Sequence, residues 1–416
     1  MFILYQSLIT LIILFSPIIV IYRILNDKED KNRFREKFGF PSKRKKYGKL
    51  IWFHAASVGE IMSIIPLIKH YEINKSINQI LITSTTLSSS KIIKKFKFKK
   101  TIHQFYPIDH FYFTNKFLNY WKPSLAIFVE SEIWPSMFKN LKNKNIPLIL
   151  LNARLTKKTF YRWMRLKYFA KSIFNLITIA YPQNYETNSF LKKLNVNNVK
   201  NIGNLKYVEI DERNLSKISD KLKKEFRNKR IWISSSTHKN EEIFCAKAHI
   251  ELKKKIQNVV TIIIPRHINR VKQIISELKS LNLKIISHSS NSKNFKDLDI
   301  YIVDTFGETK KFHKIGYSVF LGGSIIRRGG QNPLEAARYG SKILHGPNVD
   351  NFKDVYKLLK SFKISKKINT PKELADSISF KQNKNIGNRI KKIGEKILNQ
   401  TIKELDNLIK DDFKKT

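Results

Sequence analysis

The stretch YSVFLGGSIIRRGGQNPLEAARYG (317–340) decides how the rest of the chain is read. A short apolar run of strand type leads into paired glycines, two arginines, a second glycine pair and a helix start. Gly329 and Gly330 permit a tight turn and let the backbone come close to a ligand. Asn332 can cap, Pro333 suits the first helical position, and Glu335 stands where the acid of a capping box belongs. A helix opening behind a bare glycine loop offers free N–H groups and a positive dipole end to a phosphate. Arg327 and Arg328 stand beside it. Taken alone, such a turn is an ordinary βα connection with a good cap. Its weight comes from repetition.

Working outward, short apolar runs alternate with longer amphipathic segments from residue 50 onward. The expected strands are 50–54, 80–85, 125–129, 148–151 and 178–181, then 231–235, 259–264, 283–287, 299–303, 317–321 and 342–346. Helical patterns lie between them, for example at 61–71 and 241–256. Strand–helix alternation predicts α/β architecture with parallel sheets. The count predicts two doubly wound, Rossmann-like domains, 26–207 and 208–416, meeting at a polar seam over 207–230. The last segment, about 384–413, predicts one or two amphipathic helices, the last of them packing back on the N-terminal domain. Its apolar side carries Ile390, Ile393, Ile397, Ile402, Leu405 and Leu408.

At 416 residues the chain is long enough for two cores. A single cysteine, Cys245, excludes an intramolecular disulfide and fits a reducing compartment. The formal charge of +46, from 79 Lys+Arg against 33 Asp+Glu, favours anionic partners. The lysines are spread along the whole chain, however, and Lys, Asn and Ile abound where Gly and Ala are scarce. Charge of that kind is poor evidence for nucleic acid. Residues 2–22 carry no charge and are long enough to cross a bilayer core of roughly 30 Å. They lack the basic start and small-residue cleavage site of a signal peptide, and 23–49 is rich in Lys and Arg. The segment 1–25 is therefore expected to be an uncleaved membrane-anchor helix, spanning the bilayer or lying in its inner leaflet.

In open parallel sheets ligands bind off the carboxyl ends of the strands. Each dense polar cluster here follows such an end: AASVGE (55–60), ESEIWP (130–135), NAR (152–154), STHKNEE (236–242), PRH (265–267), DTFGE (304–308) and the glycine loop itself. Glu60, behind Gly59 at a helix start, is placed to accept a proton from a substrate hydroxyl. Its plainer role is to stabilise the helix N-terminus, and the two pull its pKa in opposite directions, the dipole down and burial up. Glu130 and Glu132 form a second acidic pair, with Trp134 as a wall for a sugar ring. Their plainer reading is a salt bridge to Arg154 or a nearby lysine. Arg266, His267, Arg327 and Arg328 are natural anion ligands. Glu308 and Glu335 can each accept from ribose hydroxyls or a base amine. Asp297 and Asp299 mimic a metal-binding pair but sit at the wrong end of a strand. His238, Glu241 and Glu242 could ligate a metal, but in a first helical turn such residues are more often capping and solvent-facing. Zinc spacing, a nucleophile elbow, a P-loop and nucleic-acid signatures are absent from the sequence.

Taken in order, HAASVGE (54–60), ESEIWP (130–135), LNARL (151–155), GNLK (203–206), STH..EE (236–242), PRH (265–267), DTFGE (304–308) and GGS…GGQNPLEAA (322–337) resemble the Kdo (3-deoxy-D-manno-octulosonic acid) transferases of Gram-negative bacteria, glycosyltransferases of GT-B fold. The resemblance runs from residue 54 to about 352 and includes the apolar N-terminus. It implies two domains facing a cleft. The N-terminal one would bind the acceptor, the lipid A precursor lipid IVA, beside the anionic lipids of the inner membrane. The C-terminal one would bind the donor, CMP-Kdo. It implies Glu60 as proton acceptor, with Glu130 and Lys206 stabilising the transition state. Pro265, Arg266, Phe306, Gly307, Glu308, Asn332, Pro333, Leu334 and Glu335 would hold CMP. Ser57, Arg154, His238, Gly323, Ser324 and Arg327 are further candidates in the same motifs. It implies no cofactor, no metal and no nucleic acid. Ile268, Gln331 and Asn348 depart from the residues usual in the family, all on the nucleotide side. The rival readings are a GT-B transferase using a UDP-sugar on another lipid-linked acceptor, and a membrane-tethered nucleic-acid-binding protein, which would leave the strand-end acids unexplained.

Overall fold

Among the described residues the strands pair only in parallel, in two sheets, as the alternating pattern predicts. The computed structural model describes residues 1–209, 218–290 and 294–411; part of the expected seam, at 210–217, lies outside them. The chain divides into two units, Met1–Ile210 with Gly394–Thr416, and Asp211–Ile393.

The first unit carries β1 (Leu50–His54), β2 (Gln79–Ser84), β3 (Thr101–Phe105), β4 (Leu125–Val129), β5 (Leu148–Ala153) and β6 (Ile179–Pro182), in the order β3-β2-β1-β4-β5-β6. That is the doubly wound order, with its switch between β1 and β4. These two central strands are buried at every position, as continuous apolar runs require when helices cover both faces. Trp52, Phe117, Phe128 and Phe138 fill one face. The second unit carries β7 (Arg230–Thr237), β8 (Val259–Pro265), β9 (Ile285–Ser287), β10 (Ile300–Ile302), β11 (Ser318–Leu321), β12 (Lys342–His345) and β13 (Ser365–Lys367). Their order is β13-β12-β11-β7-β8-β10-β9, so the switch falls between β7 and β11. Trp232, Phe320 and Leu344 pack on one face, and Ile263, Ile274 and Ile300 in a separate cluster.

Two strands escape sequence reading. In β13, Lys366 and Lys367 are exposed on an edge, where charge protects an unpaired ladder. In β3 the polar residues are buried because each meets a partner. His103 Nε2 lies 2.8 Å from Ser84 Oγ, and Gln104 Oε1 accepts from Trp121 Nε1 at 3.1 Å. Glu36, also buried, accepts from Arg33 Nε at 2.7 Å, Arg33 Nη2 at 2.9 Å and the Phe105 N–H at 2.6 Å.

The expected single anchor helix is corrected. Phe2–Leu14 and Ser16–Leu25 are two helices bent by 54°, and no single helix among the described residues is long and apolar enough to cross a membrane. Pro17 lacks an N–H and opens the second helix, which ends the first. At 13 residues the first helix reaches only about 20 Å. Polar bonds pin it to the unit. The Tyr5 hydroxyl donates to Asp109 Oδ2 at 2.7 Å, and Gln6 Nε2 donates to Ser136 Oγ at 2.6 Å. Ile3, Leu4, Leu8, Leu11 and Leu14 stay exposed. The C-terminal segment is one helix, Lys384–Asp411. Its Glu404 accepts from the Tyr181 hydroxyl at 3.1 Å and from Lys200 at 2.8 Å.

Replacing Glu36 by alanine strands a buried guanidinium and an N–H of β3. We expect a loss of about 3–5 kcal/mol in the first unit, read as a lower urea midpoint; an unchanged midpoint would show that Arg33 re-pairs.

Candidate active site

The carboxyl end of β1 runs through Ala55–Ala56–Ser57 into the helix Val58–Ile73. Ser57 caps it: its Oγ accepts from the Glu60 N–H at 3.3 Å. Glu60 returns the bond, Oε1 accepting from the Ser57 hydroxyl and Oε2 from the Ala56 N–H, each at 2.8 Å. This is a capping box. Its carboxyl is nonetheless raised from an ordinary 4.5 to about 7, chiefly by burial and further by the charges of Glu132 and Glu130. Burial therefore outweighs the capping bonds. All its partners are neutral.

Glu130 follows β4 with φ of 58°, a left-handed conformation that costs a non-glycine residue and is typical of constrained sites. It is buried, and its Oε1 lies 2.6 Å from Lys206 Nζ. Arg154 meets it through the backbone alone, its N–H donating to the Glu130 carbonyl at 3.3 Å. Glu132 is held differently, 3.2 Å from His54 Nε2 and accepting from Trp134 Nε1 at 2.9 Å. Trp52 Nε1–H can only donate and does so to Thr83 Oγ1 at 2.9 Å, an oxygen that also lies 2.9 Å from His54 Nδ1. Trp134 packs on Tyr106, ring centroids 5.0 Å apart, as well as serving Glu132.

Lys206 is set in place from two sides. Asn152, buried with φ of 51°, accepts from the Leu205 N–H at 3.0 Å, and Asn204 accepts from the Lys206 N–H at 2.9 Å. On the other side the C-terminal helix closes over the same segment. A Cβ at Gly203 would meet Ile397 Cδ1 at 2.8 Å, and one at Gly394 would collide with the Tyr207 carbonyl.

In the second unit the clusters behind β7, β8 and β11 come together. Glu241 and Glu242 open the helix Glu241–Lys253, and both are fully buried rather than facing solvent. Glu242 binds Arg270 at 3.0 and 3.3 Å. Glu241 accepts four backbone N–H groups: Gly323 at 2.7 Å, His238 and Ile325 at 3.0 Å, and Ser324 at 3.1 Å. The amides of Gly323, Ser324 and Ile325 are thus occupied, and the Gly322 N–H donates to the Ser235 carbonyl at 2.9 Å. The Ser324 hydroxyl, buried, accepts from the Gly346 N–H at 2.8 Å, and Asn348 donates to the Ser324 and Ile325 carbonyls.

His238 stands 5.7 Å from His267, ring to ring, and its buried Nε2 has no partner among the described residues. Burial, then His267, Arg328, Arg266 and Arg270, push its pKa below the ordinary range. Arg266, His267, Arg327 and Arg328 are exposed, and Pro265 is buried beside Thr237. Phe306 is 79% exposed, and Gly307, at φ +86°, has open space where a Cβ would be. Glu308 pairs with Lys311 at 2.7 Å. The helix behind the glycine loop begins at Leu334, one residue later than expected. Pro333 is its N-cap, and Asn332 Oδ1 accepts from the Leu334 N–H at 3.0 Å. Glu335 is half-buried. Among the described residues no three His, Cys, Asp or Glu are grouped to hold a metal ion. Asp299 is bonded to His249 and Lys253 instead.

Residues 32–209 match a family described as 3-deoxy-D-manno-octulosonic-acid transferase (kdotransferase). The 3-deoxy-D-manno-octulosonic acid transferase of Rickettsia bellii is 34% identical over 385 residues, covering 92% of this chain and 91% of that one. The enzyme of the same name from Haemophilus influenzae is 29% identical, covering 84% of each. Among solved structures, the UDP-GlcNAc 2-epimerase of Neisseria meningitidis superposes with a TM-score of 0.58 at 12% identity, covering 87% of this chain and all of that one. That likeness concerns the fold.

Glu60 carries a stability signature. Its folded pKa lies above its unfolded value, so the folded state holds the proton more tightly and loses relative stability as pH rises from about 4.5 to about 7. Thermal melts of the Glu60→Gln variant should match the native chain near pH 4 and exceed it above pH 7, by roughly 1–2 kcal/mol after discount for partial exposure. A difference that does not vary with pH would place the Glu60 pKa at its ordinary value.

Proposed function

Because the chain belongs to the family of 3-deoxy-D-manno-octulosonic acid transferases, which are glycosyltransferases, we propose that it transfers Kdo from CMP-Kdo to lipid IVA, the lipid A precursor, with inversion, in lipopolysaccharide biosynthesis. The observation that carries this reading is Glu60: a carboxylate at a strand end, bonded only to neutral partners and poised near pH 7. A general base works best with a pKa near the working pH.

In this mechanism Glu60 takes the proton of the acceptor hydroxyl while its oxygen bonds to the anomeric carbon of Kdo. The bond from that carbon to the CMP phosphate breaks, and the electron pair leaves with CMP. Glu130 and Lys206, held as a pair, present fixed charges of both signs to the transition state, and their preorganisation removes the cost of arranging solvent. Arg154, with no acidic partner among the described residues, is available to an anionic group of the acceptor. On the second unit, Arg266, Arg328 and His238 form a basic surface for the donor phosphate, and Phe306–Glu308 with Asn332–Glu335 hold the nucleoside.

The exposed apolar residues of the bent helix pair, followed by a basic segment at 23–49, support attachment to the inner membrane with both units on its cytoplasmic side. A lipid-borne acceptor would meet the enzyme there.

Release of CMP from CMP-Kdo in the presence of lipid IVA and a chelator tests the assignment. It should require acceptor, persist in chelator, and fall by about 10²-fold or more in Glu60→Gln. The native kcat/KM should climb with pH and level off above about 7. A variant near the native rate would make Glu60 a helix cap and move the base to Glu132. Replacing Lys206 by methionine should lower kcat by at least about 10²-fold with little change in donor KM; a loss confined to KM would make it a binding residue.

A further inference from the structure

The loop behind β11 has the form of an anion nest, in which successive backbone N–H groups converge on one point. In this protein that point is already filled. The carboxylate of Glu241 sits there, fully buried, with Oε1 accepting from Ser324 and Ile325 and Oε2 from Gly323 and His238. The fit is close: a Cβ at Gly322 would lie 2.8 Å from Glu241 Oε2 and collide with the Ser236 carbonyl. Only glycine lets the loop settle over the acid.

The placement reaches further than the four bonds. Gly323, at φ +67°, packs where a Cβ would stand 3.4 Å from His238 Cδ2, Arg328 Cβ and Gln331 Nε2. Its carbonyl accepts from the Gly330 N–H at 2.9 Å, which fixes the turn leading to Asn332 and Leu334. One carboxylate thus ties the end of β7 to the end of β11, on either side of the topological switch.

We propose that Glu241 is the positioning residue of the donor-binding loop: its carboxylate occupies the nest and thereby sets His238, Arg328 and the turn at 330–335. The proposal rests on the donor reading given above. It has a chemical consequence. With the amides of 323–325 committed to the protein's own acid, what this loop and the end of β7 offer the donor's anionic groups is side chains, namely Arg266, Arg328 and His238, whose Nε2 has no partner among the described residues. Glu241 itself touches no substrate.

The test is binding of CMP alone to the full-length native chain and to Glu241→Gln, followed by steady-state transfer. Glutamine keeps the volume but turns an NH₂ toward two of the four N–H donors, so charge-assisted bonds become clashes of like polarity. The variant should bind CMP at least about tenfold more weakly and raise donor KM to match, with acceptor KM unchanged and kcat within about threefold. Hydrogen exchange should quicken at one pair of amides, Gly323 with His238 or Ser324 with Ile325. If glutamine prevents folding, Glu241→Asp, which withdraws the charge by one methylene, is read in the same way. Native chain that does not bind CMP would overturn the donor reading and this proposal with it. Native chain that binds, with a folded variant binding equally well, would overturn the positioning role alone. So would a variant in which kcat and both KM values worsen together.

Discussion

A parallel sheet covered by helices on both faces has only its strand ends to offer to a ligand, and the rest of this molecule follows from that constraint. Strands such as β1 and β4 are buried at every position, so their side chains are committed to packing. Chemistry is displaced to the residues just beyond. At a switch point the connections on the two sides run in opposite directions and leave room between them. In the first unit Glu60 and Glu130 follow the two strands of the switch; in the second, His238 and the glycine loop do the same.

Within the first unit three carboxylates stand at strand ends, and the protein treats each differently. Glu130 is neutralised by Lys206, and Glu132 has His54 and Trp134 as partners. Glu60 has only a hydroxyl and a backbone N–H for company. Burial, like charges nearby and the lack of a cation raise the Glu60 carboxyl from an ordinary 4.5 to about 7. The arrangement thus sets Glu60 apart from the other two, as the reading of it as a base requires. The second unit inverts the theme. There Glu241 and Glu242 are sunk into structure, while Arg266, His267, Arg327 and Arg328 stay exposed.

Much of this was legible in the sequence because apolar runs, turn residues and caps agree with one another. LIWFH and LAIFV name β1 and β4 to the residue, and Glu60 stands at the helix start that Gly59 announces. What was not legible depends on partners distant in the chain. The polar strand β3 is buried only because Ser84, Trp121 and Glu36 reach it. His54 and Asn152 carry no local signal beyond their place at a strand end, and neither shows which atom it will hold. Glu241 looks like any acid in a first helical turn, and nothing before the fold is known brings 322–325 onto it. The break at Phe15 is written in Pro17, but the apolar run around it reads as continuous.

The account turns on the protonation of one carboxyl, and that can be measured directly. A pH titration of the ¹³C-carboxyl resonances of glutamate, assigned by difference from Glu60→Gln, gives the Glu60 midpoint without assuming any activity. A midpoint close to 7 is what burial and the charges of Glu132 and Glu130 require. A midpoint near 4.5 would mean that the capping bonds and the helix dipole prevail, and that the base of this enzyme lies elsewhere.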